Sequence, residues 1–553
     1  MESSNSFLFI SLLSLAIICI VYCRKKLSYW SSRGIEQLPA PHWFFGHYKE
    51  GILFQASPGW HLGQLYKRAR NAPLVGFYIF HKPCLLLKDP KIIRQILIKD
   101  FNTFPDRHFA GNTQKDSIGL RNLFSVRGKD WKYMKEKMGP LLNKSFRQML
   151  PLMTEAGEPM LRHIDLNKDK ELDVQDLVYK STADLIASVA MGTKIDSFSD
   201  PNGELPRRMS EYFYSFERML ALVSVFFVPD AVDSIIGSLL FFKSHFIRKV
   251  FWTAMEERKT SGKERGDFVD FAKKMQNEPQ SPYEFSGDNL IHQAGTFFAG
   301  FESSAATAAF TLTQLARNRS IQERARADVQ RAVKKHGWTY EAFVDMRYLQ
   351  QCIQETMRIH PQVSTLDRVG REDYQASWTY EEFVDMRLQQ WLQTMRIHPR
   401  VSTLDRVGGE GNQGSPKSGP RIQIQPYQHR RWPIPNTNIT IKKGTAVYMS
   451  IYGLHEDPQY FADPGTFDPG RFDQGRGISE AYMPFGAGPR MCLGMKIGYL
   501  HAKVATAIVL ANYEVYQERE ERLILDPRST FTAASEGLKL RFRKLDDKER
   551  IQL

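Results

Sequence analysis

Cysteine is scarce in this sequence, with five residues in 553, and the five are scattered along the chain. They stand at positions 19, 23, 84, 352 and 492. Small secreted domains that depend on disulfide bonds carry many cysteines at close spacings. The scattered pattern therefore excludes a disulfide framework, and it predicts that the globular part of the chain faces a reducing compartment.

Signatures of nucleic-acid and phosphate binding are also missing from the sequence. It has no zinc-ligand spacing, no glycine-rich phosphate loop and no aromatic RNA-binding motif. Lysine and arginine outnumber the acids by 75 to 61, which gives a formal net charge of +14. Such an excess suits an acidic protein partner or an anionic membrane surface as well as nucleic acid. Without the motifs we expect no nucleic-acid partner.

One long apolar run stands near the N-terminus. Only two serines interrupt it between Phe7 and Cys23, and about 17 helical residues span roughly 26 Å, enough for a thin bilayer. A removed signal peptide is the alternative, but it would carry positive charge before its apolar part, whereas cations follow here at 24–26. We predict that residues 1–26 are an uncleaved transmembrane anchor, with the remaining chain on the cytosolic side.

The rest of the chain has mainly helical periodicity. From about residue 60 to 330, apolar residues recur three and four apart between glycines and prolines. Short β-rich stretches occur at Val75–Leu87 and Ile439–Ile451. Prolines 39 and 41 stiffen residues 27–45, which we interpret as a hinge after the anchor. We therefore predict a mainly α fold with minor β sheets.

An internal repeat marks one part of the predicted catalytic domain, residues 46–553. Two stretches occur twice, Trp338–Glu341 as Trp378–Glu381 and Thr356–Val369, almost unchanged, as Thr394–Val407. Two copies are too few for a solenoid. The segment after the second copy is rich in Gly, Ser, Asn and Gln, as flexible surface segments are. We interpret residues 376–433 as a partly duplicated insertion. A duplicated exon and a faulty gene model remain open as its origin.

The most specific motif surrounds Cys492. Residues Phe485–Gly494 match the pattern F-x-x-G-x-R-x-C-x-G at every fixed position. Its glycines allow the backbone to turn tightly against a flat cofactor, and Arg490 can pair with a carboxylate. The cysteine precedes a predicted helix, whose N-terminal dipole stabilises a thiolate.

With this motif the sequence resembles the cytochrome P-450 superfamily, over nearly the whole chain outside the insertion. Phe77–Phe80, Phe104–Arg107 and Gly453–His455 are similar to the microsomal insect clade associated with detoxification. The resemblance implies the family fold and haem b (iron protoporphyrin IX), with Cys492 as the axial metal ligand. It also implies that Phe485, Gly486, Arg490 and Gly494 surround the cofactor.

Further positions of this sequence match the family's distal and haem-binding motifs. Ala299, Gly300, Glu302 and Ser303 resemble the oxygen-binding helix, where a glycine makes room for dioxygen beside an acid and an alcohol. The family usually has threonine where Ser303 stands. Trp131 and Lys135 resemble a W-x-x-x-R helix that reaches a haem propionate, with lysine in place of arginine, and Arg368 resembles another propionate partner.

A structural ion network is implied at a third place. Glu355 and Arg358 resemble the family's E-x-x-R helix, and Arg471 resembles the residue that completes its network. Gly470 departs from the glutamate common beside that arginine. The second copy of the repeat reads Gln393-Thr394-Met395-Arg396 and lacks the acid, so only the first copy can form this pair.

The function implied by the resemblance is insertion of one atom of dioxygen into lipophilic small molecules. Electrons would come from NADPH through a cytochrome reductase, with cytochrome b5 as a second candidate partner. The implied location is the endoplasmic reticulum membrane, with membrane lipid as a contact and the catalytic domain in the cytosol. Two alternatives stay open: a peroxide-rearranging haem-thiolate enzyme, and a haem-binding pseudoenzyme impaired by the insertion.

Overall fold

The computed structural model describes the residues numbered 2–69, 72–108, 121–143, 145–227, 229, 244–278, 283–372, 374–376, 439–473, 477–519, 523–551 and 553. The chain forms two compact units. One comprises Met1–Glu372 with Lys443–Leu553, and the other comprises Asp373–Lys442. Most of the predicted insertion, including the second copy of the repeat, lies outside the described residues.

Helices dominate the larger unit. In chain order they are Glu2–Leu27 (α1), Lys49–Ile52 (α2), Pro58–Arg68 (α3), Pro90–Arg94 (α4), Gly128–Asn143 (α5), Leu150–Leu166 (α6), Val174–Met191 (α7), Glu204–Tyr214 (α8), Phe216–Phe227 (α9), Ser244–Ser261 (α10), Phe268–Gln276 (α11), Asp288–Arg317 (α12), Arg319–His336 (α13), Tyr340–Asp345 (α14), Arg347–Ile359 (α15), Ile451–His455 (α16) and Met495–Leu510 (α17). Gln95–Lys99 continues α4 as a π-helical turn. The prediction of a mainly α fold is confirmed.

The long helix α12 forms the centre of the larger unit. It packs along α7 on one side and α17 on another. All three helices are buried around most of their circumference, as helices inside a core are. The helix therefore crosses the hydrophobic core and can present a few of its residues to an internal cavity.

The strands form small sheets, as predicted. They are Leu74–Ile79 (β1), Lys82–Leu87 (β2), Leu172–Asp173 (β3), Thr365–Val369 (β4), Tyr374–Ala376 (β5), Ile439–Ile441 (β6), Ala446–Ser450 (β7), Tyr513–Tyr516 (β8) and Lys539–Lys544 (β9). Strands β1, β2, β7 and β4 form one sheet in that order, and β3, β9 and β8 form another. The predicted β stretch Val75–Leu87 is a hairpin, β1 with β2.

The second unit contains one described strand pair. Strand β5 lies antiparallel to β6, with Tyr374 opposite Ile441 and Ala376 opposite Ile439. The predicted stretch Ile439–Ile451 therefore divides between sheets, because β6 pairs with β5 while β7 pairs with β2 and β4.

The N-terminal helix α1 covers the apolar run predicted to be an anchor. Among the residues that the structure describes, no helix is both long and apolar enough to cross a membrane. The predicted transmembrane helix is therefore not supported by these helices. Past α1 the chain contacts β1, where Leu38 N donates to Gly76 O at 2.9 Å. The hinge role of residues 27–45 stays a prediction.

Candidate active site

A cavity of about 310 Å³ lies inside the larger unit. Helices α5, α12 and α15 contribute to its wall, together with the loop before α17 and the chain around Arg368. Cys492 lines this cavity, and its side chain is exposed to it. The structure thus brings most of the predicted site residues to one place: Ala299, Gly300, Ser303, Trp131, Lys135, Arg368, Phe485, Gly486, Arg490, Cys492 and Gly494 all line it.

The loop that carries Cys492 is closed by a backbone hydrogen bond, from Cys492 N to Phe485 O at 2.9 Å. Gly486 and Gly488 both have a φ of +73°, a conformation that other residues rarely adopt. A Cβ atom on Gly488 would also overlap the backbone carbonyl of Leu97 in the π-helical turn. Gly488, one of the two fixed glycines of the motif, is therefore required by its backbone conformation and by close packing.

The thiol of Cys492 lies in a mixed environment. Burial raises its pKa, while the backbone N–H of Gly494 and the positive charge of Arg107 both oppose that rise. Amide N–H groups and a nearby guanidinium stabilise a thiolate by hydrogen bonding and by charge. A bound metal ion removes the proton from a coordinating thiol outright.

Four cationic side chains line the cavity: Arg107, Lys135, Arg368 and Arg490. Arg368 is 2 % exposed, and its Nε atom has no hydrogen-bond partner among the described residues. Burial and the nearby Arg107 lower the pKa of Arg368 to about 9. Arg368 Nη1 donates to Asp367 O at 2.6 Å, but a buried guanidinium nitrogen without an acceptor is costly, so this cluster is suited to an anionic ligand.

The guanidinium of Arg490 already donates hydrogen bonds to other protein groups. Its Nη2 donates to Asp106 Oδ1 at 3.1 Å, and its Nε donates to Pro105 O at 2.9 Å. The guanidinium also lies 4.0 Å from the ring centre of Trp131, a cation–π contact. Burial lowers the pKa of Arg490 to about 8, and Arg107 adds to this effect. Lys135 Nζ donates to Pro489 O at 2.7 Å, so both cations support the cysteine loop.

The residues around the cavity fit haem. An accessible cysteine thiol can ligate the iron, the glycines leave room for a flat ring, and the cations can pair with two propionates. The orphaned Nε of Arg368 is the observation that supports this fit most directly. Arg368 Nε has no acceptor among the described residues and can donate to a propionate, whereas protein acceptors already surround Arg490.

The face of α12 towards the cavity contains Ala299, Gly300, Ser303 and Thr307. Ser303 Oγ donates to Gly300 O at 2.9 Å, which places the hydroxyl one turn from the glycine. Glu302 does not line the cavity, and it is buried elsewhere on the helix. Successive helix residues rotate by about 100°, so adjacent positions face different directions.

The predicted ion network is formed away from the cavity. Arg358 binds Glu355 through two hydrogen bonds of 2.8 Å, and both side chains are fully buried. Arg471 Nε donates to Glu355 Oε1 at 3.3 Å. The guanidinium of Arg358 also donates to the carbonyl oxygens of His455 and Pro464. The pair therefore fastens α15 to the segment that leads to Arg471.

Two residues near the cysteine loop have roles that the sequence analysis missed. Arg107 lines the cavity and donates to Arg490 O at 3.2 Å, and Asp106 accepts from Arg490, Arg371 and Gly128. From the sequence, Phe104–Arg107 indicated only a similarity to the insect clade. The available signal was Asp106 followed by Arg107, an acid next to a base in a motif that the clade shares.

The fold and the cavity together define the class of this protein as the haem-thiolate enzymes. Residues 37–377 and 432–542 match the family model described as "Cytochrome P450", and the chain belongs to that family. It is accordingly a haem-thiolate monooxygenase.

Two curated relatives of this chain come from insects. It is 30% identical to "Cytochrome P450 6k1" of Blattella germanica, over 96% of this chain and 96% of the relative. It is also 30% identical to "Probable cytochrome P450 6g2" of Drosophila melanogaster, over 97% and 98%. The similarity to the insect clade expected from the short motifs is thereby confirmed.

Proposed function

We propose that this protein oxidises lipophilic small molecules at a haem whose iron is bound by Cys492. The observation that carries the proposal is the exposure of the cysteine thiol to a cavity whose helical wall includes Gly300 and Ser303. Haem ligated by a thiolate supplies the activation of dioxygen. Phe297, Phe301 and Leu366 are among the apolar residues that line the cavity, and they favour substrates with little polar surface.

The chain's own contribution is to hold the cofactor and to move protons. Arg107, Arg368 and Lys135 are proposed to bind the propionates, while Trp131 and Arg490 hold the cysteine loop. Ser303 is proposed to deliver protons into the cavity from its hydroxyl, with Glu302 as the buried acid on the same helical turn. The Glu355, Arg358 and Arg471 network is proposed to be structural.

The test of this function is turnover of a lipophilic panel with NADPH and a cytochrome reductase, with cytochrome b5 as an optional addition. Oxygenated products that require NADPH support the proposal. Products formed from organic hydroperoxides without NADPH would identify a peroxide-rearranging enzyme instead. Haem binding without any product would identify a pseudoenzyme.

Replacement of Ser303 by alanine is expected to leave haem bound but to lower the yield of product per NADPH consumed by about tenfold or more, with peroxide released instead. A positioned proton donor contributes a factor of about 10² or more to a proton-transfer step. Ser303→Thr keeps the hydroxyl and restricts its rotamers, so it should preserve or improve the yield. An unchanged yield in Ser303→Ala would remove this residue from the relay.

A location on the endoplasmic reticulum membrane, facing the cytosol, is part of the proposal. Ile17, Ile18 and Val21 of α1 are all more than half exposed, and three cations end the helix. Exposed apolar side chains next to cations suit a lipid surface. Removal of residues 1–26 should shift the protein from the microsomal pellet to the supernatant. Unchanged sedimentation would contradict an anchor there.

The segment at 376–433 is proposed to be dispensable for haem binding. Residues 378–431 fall between the two parts of the family match, which supports an insertion at this point. Deletion of 376–433 joins Gln375 to Ile434 and keeps the pairs of Tyr374 with Ile441 and Gln375 with Thr440.

The deletion variant is expected to bind haem as the full chain does and to be equally or more stable. Shortening a loop reduces the entropy lost on folding, by about 0.6 kcal/mol for each halving. Haem absorbance per protein and a urea unfolding curve measure both results. Loss of haem on deletion would mean that the second copy of the repeat contributes to the core.

A further inference from the structure

Gln293 stands on α12, two turns before the cavity-lining Gly300, and none of its side chain is exposed. Its carboxamide makes three hydrogen bonds. Oε1 accepts from Leu123 N at 3.1 Å, while Nε2 donates to Arg121 O at 3.0 Å and to Tyr283 Oη at 3.0 Å. These bonds fix the orientation of the amide, because reversing it would face its oxygen towards the carbonyl of Arg121.

The backbone that Gln293 holds is part of the cavity wall. Asn122, Leu123 and Phe124 all line the cavity. Residues 122–125 form a backbone turn, since Phe124 N donates to Asn122 Oδ1 at 2.9 Å and Ser125 N donates to Asn122 O at 3.0 Å. Leu123 N and Arg121 O both bond to the carboxamide of Gln293, so this side chain connects the turn to α12.

The far end of the same wall reaches the cation cluster. Arg107 Nη1 donates to Phe124 O, and its guanidinium carbon lies 3.9 Å from the centre of the Phe124 ring. One end of this wall is thus bonded to α12 through Gln293, and the other end is bonded to Arg107, whose charge acts on Cys492. A displacement of Leu123 would move side chains that line the cavity.

We propose that Gln293 is a positioning residue that sets the width of the cavity by tying residues 121–124 to α12, and so decides which substrates fit. The inference rests on the proposed haem site, because the width matters to ligands bound at the iron. Gln293 itself does not line the cavity, so it acts through Leu123 and Phe124.

The test compares two probes that bind haem iron through the same ring nitrogen, imidazole and 4-phenylimidazole. Only the second is large enough to meet the wall. In Gln293→Leu, the Kd of imidazole should stay within twofold of its value in the unchanged protein. The Kd of 4-phenylimidazole should rise by about fivefold or more, as expected when hydrogen bonds that place a wall are lost. Spectral titration of the haem-loaded full chain gives both values.

The matched control is Gln314→Leu. Gln314 is a buried glutamine on the same helix whose Nε2 lies 2.9 Å from His360 Nε2, and it does not line the cavity. This control should leave the ratio of the two Kd values unchanged. An unchanged ratio in Gln293→Leu, or an equal shift in both variants, would overturn the proposal.

A second readout does not require haem. Hydrogen exchange at the amide of Leu123 should accelerate in Gln293→Leu and stay unchanged in Gln314→Leu, because only Gln293→Leu removes the acceptor of that amide.

If Gln293→Leu does not fold, Tyr283→Phe removes one hydrogen bond of the Gln293 carboxamide and should raise the Kd of 4-phenylimidazole by a smaller factor. No shift there would also overturn the proposal. A protein without the thiolate-type carbon monoxide spectrum would contradict the haem site, while the exchange experiment would still decide the tether.

Discussion

Replacement of Cys492 by alanine is expected to abolish the thiolate-type carbon monoxide spectrum and to reduce turnover by about a thousandfold or more. No other cysteine among the described residues lines the cavity. The iron would therefore lose its axial ligand without a substitute. The spectrum of the reduced protein under carbon monoxide measures ligation, and product formation measures activity.

The control for this change is Cys352→Ala. Cys352 is a fully buried thiol on α15 that does not line the cavity. Its replacement should lower stability slightly but retain the spectrum. Retention of the thiolate spectrum in Cys492→Ala would refute the assignment of the ligand.

Glu355→Ala is expected to cost about 3 to 5 kcal/mol of the free energy of unfolding, because it leaves Arg358 charged, buried and without its acid. Both side chains are fully buried, and their two hydrogen bonds are 2.8 Å long. A loss of this size is a large part of the stability of an ordinary domain. Little haem should be retained. Urea unfolding and haem absorbance per protein measure the two effects.

An exposed ion pair provides the comparison for Glu355→Ala. Glu323 on α13 pairs with Arg319 at 3.0 Å, and the side chains of both residues are more than half exposed. Glu323→Ala should change the free energy of unfolding by less than about 0.5 kcal/mol, as exposed pairs usually do. Similar losses in the two variants would mean that the Glu355 pair does not have the structural role proposed for it.

Local patterns predicted the helical fold, the β-rich stretch Val75–Leu87 and the tight turns of the cysteine loop. The loop was predictable because its glycines and Cys492 lie within ten residues, where backbone turns and side-chain directions depend on near neighbours. The pairing of β1 with β2 within that stretch also depends on near neighbours, since the two strands are separated by only two residues.

Contacts between distant segments were not predictable in this way. The pairing of Asp106 with Arg490 joins residues 384 apart in sequence, and the tether from Gln293 to Leu123 joins residues 170 apart. The position of Glu302 outside the cavity lining was also not predicted. A sequence motif gives the order of residues, whereas helix geometry determines which of them face the cavity. The division of Ile439–Ile451 between two sheets depends on strands far away in the chain.

The hydrogen bonds around the cysteine loop have a consequence for biosynthesis. Arg490 donates to Pro105 O and Lys135 donates to Pro489 O, so each bond closes a loop of more than 350 residues. During synthesis the wall near residue 105 leaves the ribosome long before Cys492 does, and contacts of such long range form late in folding. Haem can therefore be captured only after nearly the whole chain has been made. Until then, the apolar surfaces of the incomplete cavity must be kept from aggregating.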